Sequence, residues 1–212
     1  MPKVYIYKLT VDDGGAPCVS KGILSLAICK PAIRSTAERG NIILGFAAND
    51  LYKDNALVYM ATVTKKLEGR DYFSKPIYAG RPDCIYEWDG GSFEWKSGSK
   101  FHSPFHSEHD LGEAPGYIRA HVLLSEGAEN FRYFGAECPI DYKQDYLRLK
   151  SLVEELGQGH RVNFDSALRG ELSQFITRLC GTPSTYRATA APGAPCHDKC
   201  NHTDKDFVAI DC

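Results

Sequence analysis

The chain has 212 residues, of which 43% are hydrophobic, and this suits one large domain or a domain with a tail. Its formal net charge of −2 excludes a basic field over the whole surface, so any contact with nucleic acid must be local. The absence of a run of about 18 apolar residues argues against a membrane span, and residues 1–7 are not typical of a signal peptide. We therefore expect a cytoplasmic protein whose eight cysteines are reduced thiols or metal ligands.

Strand patterns dominate the first two thirds of the chain. Apolar or alternating segments predict strands at residues 4–7, 22–29, 41–46, 57–63, 121–125 and 131–134, and a hairpin over residues 81–95. Between the second and third of these strands, Pro31 and Gly40 bracket a predicted short helix over 31–39, since proline suits a helix start and glycine suits the position after its end.

Helical spacing replaces the strand patterns after residue 140. Tyr146, Leu149, Val153 and Leu156 share one face of a predicted helix over 142–156, and a second helix is predicted over 166–179. Strands followed by helices predict an α+β fold. We expect a β-rich domain over 1–140, a helical extension of that domain over 141–181, and a flexible tail over 182–212, which begins rich in Ala, Pro, Gly and Thr.

Six short motifs follow one another between residues 12 and 135. They are Asp12-x-Gly14-x-Ala16-Pro17, Leu26-Ala27-x-Cys29-Lys30-Pro31-x-Ile33-Arg34, Gly40-x-Ile42-x-x-Gly45, Asp83-x-Ile85-Tyr86, His102-Ser103 and Tyr133-Phe134-Gly135. In this order they resemble the nucleotide modification associated domain family, second type. The resemblance covers roughly residues 3–140 and implies a protein associated with phage DNA base modification or with bacterial conflict systems, including anti-phage defence.

A second resemblance concerns the layout of the elements rather than a motif. A helix followed by the strands at 41–46 and 57–63 is similar to barrels of the pseudouridine-synthase-and-archaeosine-transglycosylase (PUA-like) type. This resemblance implies a small mixed β-barrel with C-terminal helices.

Two cations stand at the start of the predicted helix over 31–39. Lys30 and Arg34 lie at the positive end of the helix dipole, so we expect them to bind a phosphate or carboxylate. Arg34 would hold a phosphate through two N–H groups. Two solvated surface charges are the alternative.

Further candidate ligand-binding residues are aromatic or polar. Tyr7, Phe46 and Tyr86 offer faces on which a base could stack, although most aromatic side chains of a domain this size fill its core. His102 is a candidate polar contact or titratable group. The family resemblance adds Asp12 and Ser103.

Catalytic candidates are few, because the chain has no G-x-S-x-G, P-loop or G-x-G-x-x-G motif. Cys29 is a candidate nucleophile, since a helix N-terminus and the adjacent Lys30 favour a thiolate; a buried structural cysteine is the alternative. A hydrolase that uses Lys30 with a carboxylate, Asp83 or Glu137, is equally open.

Metal-ligand residue types occur in two places. His102, His106 and His109 lie close together, but the intervening serines and Pro104 predict a loop rather than a ligand-bearing helix. Near the C-terminus, Cys196, His197, Cys200 and His202 are candidate zinc ligands, with a flexible tail as the simpler interpretation.

Three functions are therefore open. The first is a domain that binds a nucleotide or a modified base in nucleic acid, with Lys30 and Arg34 on the phosphate. The second is an enzyme, a hydrolase that acts on a nucleotide or nucleobase. The third is a structural partner of another protein in a modification or defence complex. Zinc is the one cofactor that the sequence suggests, and no membrane partner is expected.

Overall fold

The computed structural model describes residues 2–185 of the chain. Its strands are β1 (Val4–Leu9), β2 (Cys18–Ser20), β3 (Ile23–Leu26), β4 (Ile42–Ala47), β5 (Leu57–Thr62), β6 (Lys65–Glu68), β7 (Tyr86–Trp88), β8 (Phe93–Trp95), β9 (His121–Glu126), β10 (Phe131–Tyr133) and β11 (His160–Arg161). Its α-helices are α1 (Pro31–Thr36), α2 (Gly69–Ser74), α3 (Pro76–Ala79), α4 (Ser107–Leu111), α5 (Tyr142–Asp145), α6 (Leu147–Glu155) and α7 (Ser166–Cys180). Short 3-10 helices span Lys53–Asn55 and Pro104–His106.

Two sheets form the centre of the fold. The larger has the strand order β10-β5-β4-β1-β11, and within it β1 and β4 run parallel while the other neighbours are antiparallel. The smaller is antiparallel with the order β2-β3-β9-β6, and β7 pairs with β8 in a separate hairpin. Because β1 and β4 are parallel, their carboxyl ends lie at the same edge of the larger sheet.

The side chains of β1 show how the layers are filled. Tyr5, Tyr7 and Leu9 pack with residues of the smaller sheet, whereas Ile6 packs with helices α5–α7, because successive side chains of a strand point to opposite faces. A third cluster joins the smaller sheet to α2, α3 and the β7–β8 hairpin. The layers are therefore helices, larger sheet, smaller sheet, and then the hairpin with its short helices.

The α+β class predicted from the sequence is confirmed, but the described strands form three separate sheets and no closed barrel. The chain passes from the larger to the smaller sheet at Val63 and Thr64. Val63 donates a backbone hydrogen bond to Asn41 beside the larger sheet, and Thr64 donates one to Leu124 in the smaller sheet. At this corner the chain leaves the larger sheet and begins to pair in the smaller one, so the strands do not close into one barrel.

Two predicted helices are shorter than the sequence indicated. The helix expected over 31–39 ends at Thr36, because Ala37 is extended (ψ 143°) and buried in the core. The helix expected over 142–156 is broken at Tyr146 (φ −127°, ψ 75°), whose ring packs 5.2 Å from that of Phe175. No helix within residues 2–185 has the length and apolar character needed to cross a membrane.

The first residues of the expected tail return to the larger sheet. Thr185 donates to the carbonyl of Tyr133 over 3.2 Å, and the backbone N–H of Tyr133 donates to Oγ of Ser184 over 3.2 Å. Residues 182–185 are thus held against β10. The candidate zinc ligands Cys196, His197, Cys200 and His202 lie outside the described residues, and the division of the chain at residue 140 stays a prediction.

Gly45 allows the ring of Tyr59 to lie directly against β4. A Cβ at position 45 would lie 2.3 Å from Cε1 of Tyr59 and 2.7 Å from Cδ1 of Leu9. The Tyr59 ring cannot easily give way, because it is fully buried and its hydroxyl is 2.9 Å from that of Tyr7.

We expect Gly45→Ala to lower the free energy of unfolding by about 1–3 kcal/mol, the usual result of forcing an extra methyl group into a packed core. Gly170→Ala is the matched control. Gly170 lies inside α7 with open space around it, so alanine there should raise the free energy of unfolding by about 0.5–1 kcal/mol. Urea denaturation measures both changes, and a Gly45→Ala protein as stable as the wild type would contradict this account.

Candidate active site

Cys29 stands between the end of β3 and the start of α1, in a strained segment of backbone. Cys29 and Lys30 are both left-handed, with φ of 55° and 45°, and Pro31 then begins the helix. His102 is left-handed as well, with φ of 58°. This conformation is uncommon for residues other than glycine, costs on the order of 1–3 kcal/mol each, and clusters at functional sites.

Three side chains from separate segments meet beside this backbone. Sγ of Cys29 lies 3.3 Å from Nε2 of His102, and Nδ1 of His102 lies 2.7 Å from Oδ2 of Asp110. The other carboxylate oxygen of Asp110 accepts a 2.8 Å hydrogen bond from the backbone N–H of Cys29. A thiol, an imidazole facing it and a carboxylate behind the imidazole have the arrangement of nucleophile, base and orienting group in a catalytic triad.

Asp110 is fully buried, yet its surroundings favour the ionised form. Burial raises the pKa of Asp110, but the hydrogen bond and charge of His102, the charge of Arg34 and the Cys29 N–H outweigh it, so the pKa is lowered. The hydroxyl of Tyr86 also donates to Oδ2 over 3.0 Å. A carboxylate at this position favours the tautomer of His102 with its proton on Nδ1, in which Nε2 is the acceptor that faces the thiol.

Arg34 holds the backbone of Cys29 and Asp110 in place from inside the protein. Its side chain is fully buried. It donates to the carbonyls of Cys29 (2.6 Å), Asp110 (2.6 Å), Arg119 (2.7 Å) and His121 (2.7 Å). These contacts correct the expectation that Arg34 binds a phosphate, because its N–H groups are directed at backbone carbonyls inside the protein.

A cleft of about 500 Å³ borders Cys29 and His102. The carboxyl ends of the parallel strands β1 and β4 supply two of its walls, through residues 8–11 and 48–50, and the loop 156–160 supplies a third. Lys8 and Lys30 are the lysines among its described lining residues, and His106, His109 and His160 line it as well. Lys30 lines this cleft, with Nζ 5.2 Å from the ring centroid of Tyr7, and its binding of a phosphate stays a prediction.

Two other predicted site residues, Asp83 and Phe46, do not line the cleft and are buried in the protein. Asp83 is fully buried and accepts hydrogen bonds from Ser25 (2.5 Å) and Tyr72 (2.8 Å), so it is not part of the Cys29 site. Phe46 is fully buried and packs edge-on against Tyr142, 5.1 Å away, so its ring is not available to a base.

The predicted aromatic and acidic ligand residues serve the site indirectly. Tyr7 is buried beneath Lys30, and Tyr86 is buried against Asp110, so neither offers an open face to a base. Asp12 accepts hydrogen bonds from the hydroxyls of Tyr52 and Tyr133, which hold the loop after β1.

The same three side chains that form the triad also have metal-ligand chemistry. One ligand atom each from Cys29, His102 and Asp110 lies within 4.8 Å of the others. However, Asp110 faces Nδ1 of His102, whereas the thiol faces Nε2, so the carboxylate lies behind the ring rather than beside the thiol. The geometry therefore fits a triad better than a metal site.

Asp110 is the member of this cluster that the sequence analysis did not single out. Cys29 and His102 were candidates for separate roles, and Asp83 or Glu137 was the expected carboxylate. Asp110 lies in the five-residue helix α4, which shows no periodic pattern. Its position in the same histidine-rich segment as His102 is the signal by which the sequence could have indicated it.

The family model for nucleotide modification associated domain 2 matches residues 1–192. The chain belongs to this family. The match confirms the motif resemblance and extends it across helices α5–α7, and the family name associates the chain with nucleotide modification. Neither the curated proteins nor the solved structures gave a significant match.

In this nucleotide modification associated domain Lys30 lies at the cleft and Arg34 is buried, so substituting each of them should affect stability differently. Arg34→Gln should lower the free energy of unfolding by about 3–5 kcal/mol, because it leaves Asp110 as a buried charge without its cation. Lys30→Gln is the control. It removes only a cation–π contact at the cleft, for which about 1 kcal/mol or less is expected. Chemical denaturation tests both, and equal stabilities for the two variants would refute the role assigned to Arg34.

Proposed function

We propose that this protein is a cysteine-dependent hydrolase that removes an acyl group from a nucleotide or nucleobase. The observation that carries the proposal is the contact of Cys29 with His102, backed by buried Asp110, at the wall of a cleft of about 500 Å³. Clefts of this size suit small-molecule ligands. Membership of the nucleotide modification associated domain 2 family supports the choice of a nucleotide-derived substrate.

In the first step, Nε2 of His102 takes the proton of the Cys29 thiol while Sγ bonds to the carbonyl carbon of an amide or ester. The bond from that carbon to the nucleotide then breaks, and the leaving nitrogen or oxygen takes the proton from His102. In the second step, water gives a proton to His102 and attacks the thioester. The carbon–sulfur bond breaks, the thiol regains its proton, and a carboxylic acid leaves.

Charge and size favour a single nucleotide over a duplex as the substrate. The chain has a net charge of −2, and Lys8 and Lys30 are the lysines that line the cleft, with no arginine among its described residues. Binding to duplex DNA generally needs contacts to several phosphates from lysine or arginine. Lys30, beside the nucleophile, is the residue that we assign to a substrate phosphate.

The biological setting is part of the same proposal. The motif resemblance supports a role in phage DNA modification or in bacterial anti-phage defence, in which a protein partner would supply or use the processed nucleotide. Binding of a nucleotide without turnover is the competing function, because the cleft and Lys30 suit a ligand as well as a substrate.

The test uses N4-acetyl-dCMP and N6-acetyl-dAMP as probes, with loss of the acetyl group followed by mass spectrometry. Cys29→Ala should reduce turnover by about 10³-fold or more, because the nucleophile is removed. Cys180→Ala, which changes an exposed cysteine on α7, is the control and should leave turnover unchanged.

Two outcomes would change the assignment. Full turnover by the Cys29→Ala protein would exclude the covalent mechanism. Calorimetric binding of the same nucleotides by both proteins, without turnover by either, would instead favour the binding function.

A further inference from the structure

His106 lines the same cleft as Cys29 and His102, yet the triad does not use it. The backbone N–H of Ser103 donates to Nδ1 of His106 over 3.2 Å, and Oγ of Ser103 lies 3.0 Å from the same nitrogen. Nδ1 is therefore an acceptor, and the neutral ring carries its proton on Nε2. Ser103, predicted as a ligand residue, thus acts by fixing the tautomer of His106.

The two histidines lie side by side at the cleft, and their ring nitrogens have different partners. Their ring centroids are 5.0 Å apart, with the planes inclined at 30°. His102 has Nδ1 at the carboxylate of Asp110 and Nε2 at the thiol, so a proton on Nδ1 leaves Nε2 as the acceptor. His106 lines the cleft and, with Nδ1 accepting from Ser103, has Nε2 as its donor. One ring is thereby suited to act as a base and its neighbour to donate a hydrogen bond.

The backbone N–H groups next to Cys29 are the first candidates for an oxyanion hole. An oxyanion hole in acyl transfer typically uses two donors, often backbone N–H groups next to the nucleophile. Here the N–H of Cys29 is directed at Oδ1 of Asp110 and Pro31 has no N–H, so Lys30 supplies the neighbouring backbone N–H. A side-chain donor at the cleft would complete a hole of two donors.

We propose that the Nε2–H group of His106 donates a hydrogen bond to the oxyanion formed when Cys29 attacks a carbonyl. As Sγ bonds to the carbonyl carbon, the carbon–oxygen π electrons move onto oxygen, which becomes negatively charged. His106 stabilises this charge without transferring its proton, and the charge leaves the oxygen when the carbonyl re-forms. This assignment rests on the proposed acyl-transfer function.

Two small reagents separate this role from the others. p-Nitrophenyl acetate acylates a thiol through an oxyanion, whereas iodoacetamide alkylates it at a saturated carbon, with iodide leaving and no oxyanion formed. His106→Ala should slow acylation of Cys29 by p-nitrophenyl acetate by about 10²–10³-fold. It should leave the rate of alkylation by iodoacetamide unchanged, which also shows that the Cys29–His102 pair is intact.

Two further variants sharpen the test. His106→Gln keeps a side-chain N–H at similar reach and should recover part of the acylation rate. Phe105→Ala changes the exposed neighbour of His106, which does not line the cleft, and should affect neither reaction. Equal slowing of both reactions by His106→Ala would show that His106 merely positions His102, and slowing of neither would show that it has no role; either result overturns the assignment. A wild-type Cys29 that reacts with neither reagent would instead refute the proposed function.

Discussion

The buried guanidinium of Arg34 is the interaction on which the candidate site depends. It donates to the carbonyl of Cys29 and the carbonyl of Asp110, so one side chain fixes the backbone of both residues. Its bonds to Arg119 and His121 tie both to the start of β9. A cation removed from water needs such charge-assisted hydrogen bonds and a nearby carboxylate to offset its lost hydration.

The same contacts explain how Cys29 is kept in a left-handed conformation. Its carbonyl accepts from Arg34 and its N–H donates to Asp110, so both backbone polar groups are held by buried side chains. A strained residue persists when its surroundings determine its position in several ways. The parallel β1–β4 pair then places two strand ends beside the thiol, and the fold provides the cleft without a closed barrel.

Much of the fold was predictable, because long strands and helices carry periodic patterns. Strands β1, β4, β5 and β9 and helix α7 fall where the sequence indicated. The short elements β2, β6, α2 and α3 have three to six residues each and are too brief to show a period. The corner at Val63 and Thr64, which separates the sheets, depends on backbone partners more than 20 residues away.

The site was predictable only in part. The block that contains Cys29 and Lys30 stands out from sequence because proline and glycine bracket its helix. Arg34 lies in the same block, but its partners Asp110, Arg119 and His121 are 76 to 87 residues further along, so sequence gave no sign that it points inward. The sequence does not distinguish an aromatic residue that packs in the core, such as Phe46, from one that contacts a base.

The central claim is that Asp110 and His102 activate Cys29, and the most direct measurement compares two cysteines within the same molecule. Iodoacetamide modification of Cys29 and of the exposed Cys180 is followed by peptide mapping at neutral pH in the wild type and in Asp110→Asn. Cys29 should be alkylated faster than Cys180 in the wild type, and Asp110→Asn should remove this advantage. A Cys29 that reacts no faster than Cys180, or equally fast in both proteins, would contradict the claim.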